Sequence, residues 1–311
     1  MPTSRAIPTE SDVLGYFETL SNEGRWGPDD ERGTLNLISP EKRLNALKSV
    51  QDGMTVSCST LIGAQGAAAD VPYPPLHFMI RSGESLNPER PGAVDFVGLV
   101  FHSHVITHVD ALSHSIWKGR IYNGRDAAVV TTEQGATEMS IDALRDGIIT
   151  RGVLLDIAGL EERDWLDAGD AILPSMLEAA EEAQGVRVER GDALLVRTGW
   201  WERRLAEGPY SEPLHRPGLH AACLPWLRER EVAVVAADAA NDVVPSGYAA
   251  VEQPIHEVGI VAMGLCLVDV CNFSELRTAC LETDRWSFLF LVAPLRIQYG
   301  TGSPVTPLAI F

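Results

Sequence analysis

The sequence predicts an α/β domain with a mixed sheet flanked by helices, on three observations. Strand-like runs cluster toward both ends of the chain, helical and strand patterns alternate loosely through the middle, and no internal repeat or strict strand–helix–strand period runs along it. With 311 residues, 45% apolar and 22% charged, the chain is long enough to bury one good-sized core, and a single domain over 1–311 is expected.

The elements follow in order. Residues 1–10 read as a loose end. SDVLGYFETL opens on Ser11 as an N-cap and carries apolar residues at helical spacing. The segment 25–39 is rich in turn formers. SPEKRLNALKSV predicts a second helix, with Ser39 as N-cap and Pro40 at the first helical position. MTVSCSTLI (54–62) alternates like a strand, and Gly63 to Pro75 is a long loop. VDFVGLVFHSH (94–104) is strand-like. SIDALRDGI (140–148) predicts a helix opened by Ser140, GVLLDIA (152–158) a buried strand, and PSMLEAAEEAQG a helix stopped by Gly185. ALLVRTGW (193–200) is a strand after the tight turn at Gly191-Asp192. LHAACLPWLRERE (219–231) is helical and VAVVAAD (232–238) is a buried strand. The run 256–264 fits a helix or a strand, because a short apolar run does not separate them. FLFLVAPLRI (288–297) predicts a last strand before a tail rich in turn signals.

Charge and composition exclude several function classes. A formal charge of −18 repels nucleic acid and anionic membrane surfaces, so neither is an expected partner. The five cysteines, an odd count without CxxC spacing, read as free buried thiols in a reduced compartment. The N-terminus shows no apolar signal segment, and the longest apolar runs, such as 258–268, fall short of the roughly 18 residues that span a bilayer, so a cytoplasmic protein is expected. No Gly-x-Gly-x-x-Gly or P-loop pattern points to a nucleotide.

One window stands apart. HVITHVDALSH (104–114) places His104, His108, Asp110 and His114 in eleven positions, and His102 just precedes it. On a helix, Asp110 would swing about 240° from His104. On a straight strand, His104 and His108 would lie roughly 13 Å apart, too far for nitrogens that must each approach an ion to about 2.0–2.1 Å. Convergence therefore demands a bend inside the window. Two imidazoles and a carboxylate suit a divalent cation while leaving positions for water and substrate, and a further histidine beside them suits proton transfer. His102, at the edge of the window, reads as a bystander or a supporting group. Taken singly, each of these histidines is more often structural; the density of the cluster favours a metal site.

The pattern H-x-x-T-H-x-D-x-x-x-H resembles the signature H-x-G-T-H-x-D-x-P-x-H of the cyclase family of metal-dependent hydrolases, which includes kynurenine formamidases and isatin hydrolases. RWGPDDERGTLNLI, WKGRIYNG, GDALLVRTGW and the tail YGTGSPVTPLAIF also resemble that family in order along the chain. The resemblance implies a swivelling β/β/α domain, zinc or manganese, and a homodimer or homotetramer. It implies His104, His108 and Asp110 as metal ligands, His114 as acid/base, and His256 with Asp269 as ligands toward a second ion; one ion is favoured over two. Ile106 stands for the signature glycine and Leu112 for its proline, and Asp269 is one methylene shorter than the family's glutamate. A β-branched residue tolerates positive φ badly, so any bend at Ile106 is not of the glycine kind.

Trp26, Trp117, Tyr122 and Asn123 are candidates to line a substrate pocket, with packing around turns as the alternative. Glu252, four residues before His256, is a candidate to orient it. His77, His215 and His220 read as structural, and Arg197 with Trp200 as a packing pair. The expected activity is hydrolysis of an amide or lactone acyl bond in a small-molecule substrate such as a cyclic isatin-like amide, a formamide or a lactone. A metal-dependent cyclase or dehydratase, and a metal-binding module without turnover, are the rival readings.

Overall fold

The computed structural model describes residues 7–63, 68–84, 92–212 and 215–311. The first part of the expected loose end, residues 1–6, and part of the expected 63–75 loop, residues 64–67, lie outside the described residues.

The strands that matter for the site are β1 (Thr55–Ser57), β2 (Leu76–Arg81), β3 (Val94–Gly98), β4 (His108–Asp110), β5 (Ile148–Asp156), β6 (Ala193–Arg197), β7 (Val234–Ala237), β8 (Cys266–Asp269), β9 (Ser287–Val292), β10 (Gly302–Pro304) and β11 (Leu308–Ile310). Nine of them form one mixed sheet in the order β1-β11-β9-β5-β6-β7-β8-β4-β10. Its centre, β5-β6-β7-β8, is parallel, and antiparallel strands extend it on both sides. A parallel centre is covered on both faces, so its strands must be apolar without interruption. ALLVR, VVAA and CLVD are buried at every position. Alternate residues feed two cores: Leu194, Val196, Val235 and Leu267 on one face, and Leu195, Val234, Ala236 and Val268 on the other.

Several local expectations shift by identifiable chemistry. The first helix, Glu10–Thr19, is capped by Thr9 rather than Ser11: the Thr9 hydroxyl accepts from the Asp12 amide, and the Asp12 carboxylate accepts from the Thr9 amide. The helix Pro40–Lys48 begins as read, with Ser39 Oγ accepting from the Lys42 amide at 3.1 Å. The segment after Ser140 makes only a 3₁₀ turn, Ile141–Leu144. The ambiguous apolar run is a helix, Pro254–Val261. Helices Trp200–Glu207 and Ser274–Thr283 were not anticipated. The last strand stops at Val292, two residues before Pro294. The tail forms two further strands; Pro304 is tolerated there because β10 is an edge. All five cysteines are free and buried, and no helix among the described residues is long and apolar enough to cross a membrane.

Candidate metal centre

The expected strand at 94–104 ends at Gly98, and residues 102–106 bend before β4 begins at His108. The required bend is therefore present. β4 lies between β8 and β10, opposing His108 to Asp269 and Asp110 to Gly302. Asp269 is the last residue of β8, and Asn241 and Asp242 follow β7. The centre thus sits at the carboxyl ends of parallel strands, the usual position for a ligand in such sheets.

Asp110 is its hub. Its Oδ1 lies 3.1 Å from His102 Nδ1, 3.8 Å from His108 Nε2 and 3.9 Å from His114 Nε2; its Oδ2 lies 3.6 Å from His256 Nε2. His256 Nε2 stands 3.0 Å from Asp269 Oδ2, which is 4.0 Å from His108 Nε2. Two donors each about 2.1 Å from one ion lie no more than about 4.2 Å apart, so these separations suit a shared cation. Two overlapping donor sets result: His102, His108 and Asp110, and Asp110, His256 and Asp269. Both oxygens of Asp110 and Nδ1 of His102 are buried without an aligned hydrogen-bond partner among the described residues. Unsatisfied buried carboxylate oxygens are costly, and imidazole nitrogens around them supply the company of a cation.

The surroundings aim the donors. His108 Nδ1 donates to the Ile106 carbonyl at 2.8 Å, leaving its Nε2 turned to the centre. His102 Nε2 is 3.2 Å from Thr301 Oγ1, leaving Nδ1 inward. Asp242, fully buried, accepts from His256 Nδ1 and from the amides of Ile255 and His256, so one carboxylate caps the helix Pro254–Val261 and orients the ring. Glu252, expected in that role, instead lines the open cleft. Asn241 donates to Asp269 Oδ1 through its backbone at 3.2 Å and through its side chain. Gly302 makes room for His102: a Cβ there would come 2.7 Å from His102 Cε1 and 2.7 Å from the Val109 carbonyl oxygen.

Electrostatics follow from this packing. Burial opposes charge on Asp110, yet His114, His102 and His256 hold its carboxyl well below the usual range. Burial likewise opposes a proton on His256, but Asp269, Asp110 and Asp242 keep it protonated far above the usual imidazole range. Burial pushes His114 down to about 4, against the pull of Asp110. His114 belongs to neither donor set. It stacks on His102 with centroids 4.0 Å apart and lines, with Trp117 and His256, a cleft of about 480 Å³.

The remaining expected residues separate. His104 is in neither donor set, and it lies close enough to Asp269 and His108 to feel their charges. Burial, reinforced by Arg216, pushes His104 down to about 4. Trp117 reaches the cleft, stacked on Phe17 at 4.4 Å. Trp26 packs against the second core under Arg25. Tyr122 is fully buried and donates to Asp30 Oδ2 at 3.0 Å. Asn123, at φ 60°, accepts from the Gly24 amide and donates to the carbonyls of Gly27, Pro28 and Asp30. These three hold the N-terminal segment in place instead of facing the cleft. The residues missed from sequence, Asp242, Asn241 and Gly302, carry no spacing signal relative to the histidine window; only the sheet brings them to it.

The family model for cyclases matches residues 49–241. The chain is similar to a solved structure described as a novel cyclase, with 29% identity and a TM-score of 0.81 over 94% of this chain and 100% of that one. It is also similar in fold to isatin hydrolase A from Labrenzia aggregata bound to benzyl benzoate, at 19% identity and TM-score 0.60 over 83% of this chain and 93% of that one. An isatin hydrolase bound to the product analogue thioisatinate aligns at 19% identity and TM-score 0.59, covering 88% of this chain and 99% of that one. No curated protein matches the chain. The family match spans more than half of the chain and includes the histidine window, and the chain therefore belongs to the cyclase family.

Proposed function

We propose that the protein is a divalent-metal-dependent hydrolase of an amide or lactone acyl bond, with a cyclic amide of the isatin type as the favoured substrate class. The observation that carries this reading is Asp110: two buried carboxylate oxygens without an aligned hydrogen-bond partner among the described residues, ringed by nitrogens of His102, His108 and His256. His102, His108 and Asp110 would hold the ion, with His256 and Asp269 completing its surroundings. A zinc or manganese ion bound there would supply Lewis acidity toward an acyl oxygen and lower the pKa of water. One ion is favoured over two.

The chain's own residues supply the rest. His114, neutral near pH 7 and open to the cleft, takes a proton at Nε2 and returns it to the leaving nitrogen or oxygen. Asp242 holds His256 in one orientation, and Asn241 holds Asp269. Trp117, braced by Phe17, offers an apolar wall to an aromatic or bicyclic substrate. Support for the isatin class comes from the fold shared with two isatin hydrolases, one of them bound to thioisatinate.

The test is metal analysis of the purified protein together with a screen of isatins, formamides and lactones in ¹⁸O-labelled water. One ion per chain and label in a new carboxylate are expected. A protein that takes up no zinc or manganese, or a product without label, refutes the reading.

A further inference from the structure

The helix Glu10–Thr19 lies outside the family match over 49–241, yet it touches the cleft beside the centre at two places. Glu10, Val13 and Phe17, spaced three and four residues apart, share one helix face within an arc of about 60°. Val13 is fully buried in the core cluster that also holds Ile255 and Val258, residues of the helix that carries His256. The two helices pack against each other, so the first is anchored beside the centre. Toward its N-terminus, the Glu10 carboxylate accepts from the Ala250 amide at 3.0 Å and from the Ala249 amide at 3.4 Å. The Pro8 carbonyl accepts from the Tyr248 hydroxyl at 3.0 Å. Ala249 and Ala250 line the cleft. One turn beyond the anchor, Phe17 stacks on Trp117, which also lines the cleft, with the ring planes 11° apart.

We propose that Glu10 and Phe17 are positioning residues that hold two walls of the substrate cleft in place for a planar ring; the inference rests on the proposed reading of that cleft as the substrate site. Neither wall belongs to the sheet. Residues 245–253 form no helix or strand, and Trp117 projects from a turn closed by its bridge with Arg120. A carboxylate that accepts from two loop amides makes charge-assisted hydrogen bonds, stronger than neutral ones. Stacked rings fix a geometry as well as burying area. Because both contacts arise from one face of one anchored helix, they hold the two walls relative to each other. Walls set before the ligand arrives reduce the entropy that binding must cost. A rigid planar ring makes its contacts at one wall separation, whereas a flexible chain adjusts to several. Neither Glu10 nor Phe17 belongs to a donor set, so their effect falls on binding and not on the chemical step.

Hydrogen exchange on the full chain reads the Glu10 contact without any ligand. In Glu10→Ala the amides of Ala249 and Ala250 are expected to exchange about 10-fold faster, the size of one lost charge-assisted hydrogen bond, while those of Val258 and Ile260 keep their wild-type rates. Steady-state kinetics with isatin read the consequence. Glu10→Ala and Phe17→Ala are each expected to raise KM about 10-fold, with kcat within about twofold of wild type and metal content unchanged. Glu10→Gln keeps an oxygen that accepts from an amide and is expected to bring KM back to within about threefold of wild type. A helix needed for stability alone would lower the urea midpoint and leave the KM of the folded protein where it was. Wild-type exchange at Ala249 and Ala250 in Glu10→Ala, a KM that moves in neither alanine variant, a loss of kcat at constant KM, or no recovery in Glu10→Gln would each overturn the proposal. Wild type that neither binds nor turns over isatin refutes instead the isatin class of the proposed function, and the exchange rates then decide the Glu10 contact alone.

Discussion

Two buried carboxylates of this protein have opposite surroundings. Asp156 accepts from Arg197 Nη1 at 2.7 Å, from the Gly159 amide at 2.9 Å and from Arg277 Nε at 2.7 Å. Asp110, equally buried, accepts no aligned hydrogen bond among the described residues, although four imidazoles stand within 4 Å of it. Burial is the same and satisfaction is not. Arg197 and Arg277 give Asp156 fixed donors that never leave, which is how a fold pays for a structural charge. The imidazoles around Asp110 give it no aligned donor among the described residues, and on the proposed reading a divalent cation completes the cluster. On the proposed reading, the contrast separates a charge kept for stability from one kept for chemistry.

The sharpest way to break that contrast is at His114. If it moves protons and does not ligate, His114→Ala retains wild-type metal content and loses hydrolysis by roughly 10²–10⁴-fold; metal analysis beside turnover decides it, and a parallel loss of metal would make His114 a ligand. The structural half of the contrast predicts the reverse for Asp156→Ala. Removing one partner of a buried ion pair costs about 3–5 kcal/mol, seen as a lower urea midpoint, while metal affinity measured on the folded protein stays as in wild type. Asp242→Asn, which keeps the size of the group that orients His256 but weakens its grip, should lower metal affinity about 10–100-fold with a small change in unfolding midpoint; competition against a chelator reads it.

A smaller effect follows from protons. Burial holds His104 and His114 near 4 in the folded chain, below the ordinary imidazole value of 6.5. Between those values the unfolded chain binds more protons than the folded one, so their contribution to stability is complete above pH 6.5 and is lost as pH falls toward 4. The urea midpoint of metal-free protein should therefore drop between pH 7 and pH 5. His104→Gln should flatten that decline, and an unchanged slope would place the titrating groups elsewhere.

The sequence was most informative where chemistry and local pattern coincide. Ser39 and Pro40 open a helix because capping is decided within four residues. The central strands were readable as uninterrupted apolar runs because a parallel sheet buries both faces. It was least informative about the tail: β10 and β11 are three residues each, and their strand character comes from β4 and β9, which are distant in the chain. Tyr122 and Asn123 follow the histidine window closely, yet their hydrogen bonds go to residues 24–30.

By itself, the sequence determined that a divalent-ion centre could be built around His108 and Asp110, with His114 beside it, because those residue types stand within seven positions in a segment that has to bend. Only the tertiary structure decided that His102 stands beside Asp110, that Asp242 steers His256, and that a glycine at 302 leaves the space. Those choices depend on where the backbone bends and on which strands lie side by side, and both are set by burying the nine-stranded sheet, not by any local run of residues.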